Sequence, residues 1–219
     1  MMLYEVFRAL EVPESKKLFA SKDNLSQYGF LYPGEGAKNG AQEPVEPSLS
    51  VDGLPLGLVK DQSLLDNLNY LGFTCAACHT GEVAYGGKRY YIEAGQAKLD
   101  FFAFNRALVE AVQANRSGKK LKRFNKRFKA LVQSNYPRKT VDPKAGEEYL
   151  AQALESFGGF MGRNVDEVEF GPGRLDAIGV ILNEVIVHQA GLDANGESQP
   201  KPLTAPINYP YIWDAPDLS

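Results

Sequence analysis

The 219-residue sequence has few cysteines, few histidines and no long hydrophobic run. Its two cysteines cannot form the disulfide framework of a small secreted fold. No apolar stretch reaches the roughly 18 residues that a membrane-spanning helix needs, so we expect no transmembrane segment. The 24 basic and 27 acidic residues give a net charge of −3, which argues against binding nucleic acid through excess positive charge. A chain of this length can bury a substantial core without disulfides.

The two ends of the sequence suggest that it belongs to a longer chain. Residues 1–7 lack the basic and long apolar regions of a signal peptide, and helical patterning begins there at once. The last residues follow the aromatic stretch 209–213, and large aromatic side chains seldom crowd a free tail unless they pack on something. We therefore expect further sequence beyond this chain.

The hydrophobic pattern predicts a mostly α fold. Apolar residues at helical spacing predict helices over 3–20 with an interruption near Pro13, and over 96–115, 118–134, 144–157 and 173–190. A short helix before the cysteines is predicted from four leucines, Leu64, Leu65, Leu68 and Leu71. Residues 31–60 contain glycine and proline without periodicity and predict an ordered loop. Residues 83–85 and 89–92 flank Gly86-Gly87, which predicts a small β-hairpin.

The cysteines lie in one short motif, Cys75-Ala76-Ala77-Cys78-His79. The pattern C-x-x-C-H is typical of a covalent haem c site. Two thiols at this spacing can add across the two vinyl groups of the porphyrin, and the following imidazole can then lie beneath the iron as proximal ligand. The small side chains of Ala76 and Ala77 allow the porphyrin to lie close to the backbone. The motif therefore predicts one haem c, with His79 as the iron ligand.

Three other interpretations of the motif are weaker. A thioredoxin-like dithiol uses C-x-x-C within a βαβ pattern, which the flanking sequence does not show. A zinc site would need Cys75, Cys78, His79 and His188 together, and adjacent Cys78 and His79 are poorly placed to bind one tetrahedral ion. An iron–sulfur cluster would need more thiolates than the chain contains.

Three segments of the chain resemble one protein family. They are Gly53-Leu54-Pro55-Leu56-Gly57-Leu58 with the following 72–81 cysteine segment, Phe170-Gly171-Pro172-Gly173-Arg174-Leu175-Asp176-Ala177, and residues 205–216, which include Trp213. The first resembles the first haem segment of di-haem c-type cytochromes similar to the rubber-oxygenase-like branch of the bacterial cytochrome c peroxidase superfamily. The second resembles the G-P-G-R-x-D-A signature of that group, and the third resembles the segment that precedes its second haem domain. The C-x-x-C-H motif is specific for haem c, and the other two are moderately specific for this branch.

The resemblance implies a cytochrome-c-type haem domain elaborated with long loops. It implies a haem domain with an N-terminal extension over 1–191 and a crossing segment over 192–219 that leads towards a second domain. Members of the family are longer, carry two C-x-x-C-H motifs and are exported, whereas this chain has one motif. From the export of the family we expect a periplasmic or secreted protein.

The sixth iron ligand remains open at the level of sequence. Three possibilities are His188, Met161 in a glycine-rich stretch, and an open position that binds O₂ or peroxide. A histidine near a helix C-terminus is also favoured by the helix dipole, and a methionine also fills gaps in a core.

Other residues have both a functional and a structural interpretation. Arg174 could bind a haem propionate, whereas Asp176 in the same turn fits the start of a helix. Tyr211 and Trp213 could contact the porphyrin or a second domain, or could pack in a core. A basic helix over 118–134 could bind an acidic redox partner or an anionic membrane surface, although charge runs are usually solvated faces.

The sequence thus predicts a haem c electron-transfer protein that works with a redox partner protein or a second haem domain. The alternative function is a haem-dependent peroxidase or oxygenase that acts at an open distal position. A third possibility is a structural haem module within a larger complex.

Overall fold

The computed structural model describes residues 2–32, 37–39, 51–142, 144–190 and 199–213, with backbone alone for 37–39, 51 and 189–190. The structure mixes α and β elements, so the expectation of a mostly α cytochrome domain with one small hairpin is wrong. In the described residues the helices are α1 (Tyr4–Ala9), α2 (Lys22–Ser26), α3 (Phe101–Ala114), α4 (Gly118–Asn135), α5 (Ala145–Arg163) and α6 (Ala177–Val185), and α6 continues into a π turn, Ile186–Ala190.

Eight short strands form three small sheets in the described part of the chain. They are β1 (Met2–Leu3), β2 (Ala37–Asn39), β3 (Leu58–Gln62), β4 (Asn69–Phe73), β5 (Thr80–Tyr85), β6 (Lys88–Glu93), β7 (Arg174–Leu175) and β8 (Ile207–Asn208). The first sheet has the antiparallel order β1-β4-β3, and the third pairs β7 with β8 antiparallel. In the second sheet, β5 and β6 form a hairpin, and β2 pairs with β6 in parallel.

The leucine-rich segment before the motif is a hairpin, not the short helix predicted from its sequence. β3 and β4 pair in antiparallel register from Leu58–Phe73 to Gln62–Asn69. Asn67 reverses the chain at φ 57, and Leu64 and Leu65 at the tip are 96% and 98% exposed. Leu68 and Leu71 are buried. Two of the four leucines are therefore in solvent, whereas an amphipathic helix would have buried all four on one face.

The predicted N-terminal helix is also shorter than its pattern. α1 ends at Ala9, and Leu10 is extended, with φ −63 and ψ 141. The chain then turns back, and the Phe19 amide donates to the Leu10 carbonyl at 2.9 Å. The later helices predicted over 96–115, 118–134 and 144–157 are confirmed as α3, α4 and α5, although α3 begins only at Phe101 and α5 continues to Arg163. The predicted 173–190 helix starts at Ala177, because residues 174–175 form β7.

One large aromatic and aliphatic core connects the sheets to the helices. Phe104 on α3 is fully buried, and its ring centroid lies 5.1–5.9 Å from those of Phe19, Tyr28, Phe30 and Phe73. Since Phe73 is the last residue of β4, this cluster fixes the strand end from which the cysteine motif starts.

The basic helix α4 divides its charges between two faces. Lys120, Arg123 and Arg127 turn inward to the fully buried carboxylate of Glu11, at 3.5, 2.6 and 2.8 Å. The remaining basic residues of the helix are exposed, and they are Lys119, Lys122, Lys126 and Lys129. Part of the predicted cationic face is therefore an internal ion-pair network.

Candidate functional site

The cysteine motif lies in the connection between the first two sheets. A single 3-10 turn, Cys75–Ala77, follows β4 and leads into β5. The amides of Cys78 and His79 donate to the Cys75 carbonyl at 3.2 and 2.9 Å, which closes the turn. Cys75 is exposed, Cys78 is half-buried, and both are free thiols. The turn therefore presents its two sulfurs and one imidazole from one short segment.

The backbone of Gly57 packs directly against this turn. It has φ +89, and a Cβ atom there would lie 2.3 Å from the Ala77 Cα atom. The Gly57 carbonyl accepts a hydrogen bond from the Thr74 amide at 2.9 Å. Only glycine allows both this backbone conformation and this close approach. Gly57 is therefore part of the site, a role that its place in the 53–58 segment did not predict.

His79 has a defined orientation. Its Nδ1 atom lies 2.9 Å from the Pro210 carbonyl oxygen, and its ring contacts the Tyr209 ring edge-on at 6.5 Å between centroids. A carbonyl oxygen can only accept, so Nδ1 carries the proton in this contact. In the neutral form of the ring, this contact leaves the lone pair on Nε2. This is the arrangement that histidine ligands adopt when a backbone carbonyl orients them towards a metal.

Backbone hydrogen bonds connect the motif to the other segments of the resemblance. The Ala97 amide donates to the Cys78 carbonyl at 3.1 Å, and the Gly173 amide donates to the Leu99 carbonyl at 3.0 Å. The Tyr209 amide then donates to the Gly173 carbonyl at 3.1 Å. We call residues 209–213 the strap. The cysteine turn, the Gly-Pro-Gly turn and the strap are thus neighbours, although they are far apart in sequence.

A cavity of about 320 Å³ opens beside His79. Its walls are mainly apolar, and three residues of the motif form part of them. The lining residues are Leu56, Cys75, Ala76, His79, Thr80, Tyr91, Glu93, Ala94 and Ile212. Tyr91 is buried and packs with Leu31 and Leu56 behind the cavity. The cavity therefore joins the Cys75 thiol and the oriented imidazole of His79 in one largely apolar wall, whereas Cys78 is not among the described residues that line it.

Burial changes the acidity of two groups at the motif. Burial raises the pKa of the Cys78 thiol, and the Tyr209 hydroxyl beside it partly offsets that effect. Burial, with a smaller contribution from Cys78, raises the pKa of Tyr209 as well. The Tyr209 hydroxyl donates to the Leu99 carbonyl at 3.1 Å. Cys78 is therefore a neutral, partly shielded thiol rather than an activated thiolate, which argues against a low-pKa redox dithiol.

The structure does not bring the two candidate distal ligands to this cavity. Met161 is partly buried and packs against the cluster of Phe102, Phe170 and Leu203. The His188 side chain is 66% exposed in the π turn, and its Nε2 atom lies 3.4 Å from the Glu184 carboxylate. Neither is among the described residues that line the cavity. Their assignment as iron ligands stays a prediction without support from this geometry.

Arg174 and Asp176 differ in what surrounds them. Arg174 is exposed on β7 opposite Asn208, and its role in binding a propionate stays a prediction. Asp176 caps α6, because its carboxylate accepts from the Gly179 amide at 2.9 Å. The same carboxylate accepts from the Thr204 and Ala205 amides at 3.2 Å each. The helix-start interpretation of Asp176 is therefore confirmed.

Within the ranges that the structure describes, no three His, Cys, Asp or Glu side chains form a group that could hold a metal ion. The four-ligand zinc alternative thus gains no support, whereas a haem c needs only one protein imidazole.

No helix in the described residues is both long and apolar enough to cross a membrane.

Comparison with known proteins gives one relative of unknown function. The uncharacterized protein y4iJ of Sinorhizobium fredii is 28% identical to this chain. The alignment is 242 residues long and covers 97% of this chain. The chain spans 35% of the length of that relative. No family model matches the chain. No solved structure matches it.

Proposed function

We propose that this chain is a haem c protein that transfers electrons. Cys75 and Cys78 would hold the porphyrin, and His79 would bind the iron through Nε2. The observation that carries the proposal is the 2.9 Å contact between His79 Nδ1 and the Pro210 carbonyl, within a C-x-x-C-H motif. This contact fixes the tautomer that leaves Nε2 available as a ligand.

The residues around the motif fit such a group. The exposed Cys75 and the half-buried Cys78 lie at the two ends of one short turn. Ala76 adds no bulk to the cavity wall, and Leu56 and Ile212 provide apolar contacts. When bound, haem c supplies one-electron exchange between two oxidation states of its iron. The chain's own part is to orient His79 and to exclude water from one side of the site.

A second function, peroxide or O₂ chemistry at an open distal position, is favoured by two observations. Neither Met161 nor His188 is among the described residues that line the cavity beside His79. A further apolar cavity of about 320 Å³ is lined by Phe73, Phe101 and Phe160, with Arg163 and Glu184 at its polar end. Phe73 is only two residues from Cys75, so an apolar substrate could bind close to the motif.

The proposal extends to location and partners. Haem c is attached outside the cytoplasm, so we propose a periplasmic or secreted protein. The partner would be a redox protein or a second haem domain, as in the di-haem cytochromes that the sequence resembles.

The test is expression with a haem c maturation system, followed by denaturing electrophoresis and haem detection. We expect a covalently coloured band for the wild type and none for the double variant C75A/C78A. The variant S63A, at the tip of the β3–β4 hairpin, serves as a matched small substitution and should remain coloured. A colourless wild type whose two thiols are free for alkylation would overturn the proposal.

Spectra of the loaded protein separate the two functions. A low-spin spectrum that does not change with carbon monoxide or cyanide favours electron transfer. A high-spin spectrum that changes readily with either probe favours the enzyme.

A further inference from the structure

The far end of the strap is held by two hydrogen bonds, in addition to those of Tyr209 and the one that orients His79. The Ile212 amide donates to the Ala94 carbonyl at 3.0 Å. The Trp213 indole Nε1 donates to the Glu93 carbonyl at 2.8 Å. Glu93 is the last residue of β6 and Ala94 follows it, and both line the cavity. Pro210 is therefore fixed from the strap's far end.

These contacts connect both ends of the strap to the segment that carries His79. Glu93 pairs with Thr80 in the β5–β6 hairpin, and Thr80 directly follows His79. Trp213 thus binds the strand residue opposite Thr80, while Pro210, three positions earlier in the strap, binds the His79 side chain. The main chain that carries His79 and the carbonyl that orients its ring are thereby tied to the same hairpin end.

Two further features indicate that Trp213 serves to hold position and not to fill a core. Its side chain is 58% exposed, and its ring stacks on the exposed Tyr211 at 4.8 Å between centroids. Ala94 adopts φ 56, a left-handed conformation that is unfavourable for a non-glycine residue. Backbone strain of this kind persists where the surrounding contacts determine it, and it is often found at functional sites.

We propose that Trp213 is a positioning residue that sets the donor strength of His79. Its indole N–H holds the strap so that the Pro210 carbonyl stays on Nδ1. This proposal rests on the proposed haem function. An imidazole whose Nδ1–H donates to a carbonyl is a more basic ligand, and second-shell hydrogen bonds of this kind tune the reduction potential. Loosening the strap should therefore weaken electron donation to the iron and raise that potential.

The experiment compares three variants of the haem-loaded full chain at pH 8. W213F keeps an aromatic ring and loses the N–H donor, whereas W213H keeps a donor at the corresponding ring position as a neutral imidazole. Y211F is the matched control in the stacked pair. We expect W213F to raise the reduction potential and to lower the iron–histidine stretching frequency in resonance Raman spectra. W213H and Y211F should stay close to the wild type.

The outcomes distinguish this inference from the proposed function. If the wild type carries haem and W213F matches it in both potential and stretching frequency, the positioning role is refuted and the haem function stands. If the wild type carries no haem, the proposed function itself fails. Should W213F not accumulate, W213L also removes the indole N–H donor, and an unchanged potential in that variant would equally refute the positioning role.

Discussion

At the scale of single residues, Glu11 is a buried charge that three basic side chains contact. Its carboxylate is fully buried and accepts from the Arg123 guanidinium at 2.7 and 2.6 Å. Hydrogen bonding from Arg123, aided by Arg127, lowers the pKa of Glu11 from 4.5 to about 2, although burial opposes this. A buried ion pair is destabilising when one partner is lost, because the other charge stays without compensation.

The lowered pKa of Glu11 predicts a loss of stability in acid. The folded protein binds this proton only near pH 2, whereas the unfolded chain binds it near pH 4.5. The contribution is therefore complete above about pH 4.5 and is lost as the pH falls towards 2, by about 3 kcal/mol for this difference in pKa. Urea unfolding of the wild type at pH 7 and at pH 3 measures the effect.

The variant E11Q removes this titrating group. We expect it to lower the free energy of unfolding at pH 7 by about 3 kcal/mol, because three cationic side chains then face a neutral amide. Its stability should also depend less on pH between 4.5 and 2. E14Q, on an exposed neighbour, is the control and should change little. Equal stabilities of E11Q and E14Q at pH 7 would contradict this account.

At the scale of elements, the two hairpins show what a sequence pattern can and cannot predict. The β5–β6 hairpin is predictable because Gly86 and Gly87 both have positive φ, at 57 and 72, as its tight turn requires. The β3–β4 hairpin turns at Asn67 within a leucine-rich stretch. Four leucines at helical spacing outweigh that one turn residue, although two of them lie in solvent. Tertiary burial, which decides between the two patterns, is absent from a local window.

The candidate site also has one part that the sequence predicts and another that it does not. Cys75, Cys78 and His79 lie within five residues, so their chemistry is visible in the sequence. The Pro210 carbonyl that orients His79 is 131 positions away, and its hydrogen bond involves no side chain of Pro210. A backbone acceptor leaves no pattern of residue types. Gly57 is different, because a glycine near a functional motif is a signal for close backbone approach that could have been used.

The close approach of Gly57 to the turn gives a prediction for G57A. A Cβ atom there would lie 2.3 Å from Ala77 Cα, and its φ of +89 is unfavourable for alanine. Both effects act on the turn that carries the cysteines. We expect G57A to lower the free energy of unfolding by at least about 3 kcal/mol and to reduce the fraction of protein that carries haem.

The variant G53A separates conformation from contact. Gly53 also has positive φ, at +70, but an added Cβ atom meets nothing within 4 Å. We expect G53A to cost only about 1–2 kcal/mol and to keep its haem content. Thermal unfolding and the haem absorbance per mole of protein measure both quantities. If G57A and G53A were alike in stability and haem content, close packing under the motif would have no role.

At the scale of the whole molecule, one core joins segments from the N-terminus to the strap. It includes Met2 of β1, Phe104 of α3, Leu150 of α5 and Tyr209 of the strap, all of them buried. The sheets have only two or three short strands, and such small sheets need a hydrophobic face or packing against a helix to be stable. The site is therefore built on contacts that form together with the core.

This shared core predicts that the protein and its haem site unfold together. Phe104 is fully buried against four aromatic rings, one of which, Phe73, lies two residues before Cys75. We expect F104A to lower the free energy of unfolding by about 3–5 kcal/mol, because a large cavity replaces the ring. L64A, on a side chain that is 96% exposed, should change it by less than about 0.5 kcal/mol.

Two probes in one denaturant titration check the coupling. Far-ultraviolet circular dichroism follows the helices, and the haem absorbance of the loaded protein follows the surroundings of His79. In the wild type the two transitions should coincide, and in F104A both should move to lower denaturant by the same amount. An absorbance transition that stayed in place while the helices shifted would mean that the cysteine turn and the strap form a unit independent of the core. In that case the contact between Phe73 and Phe104 would not transmit stability to the motif.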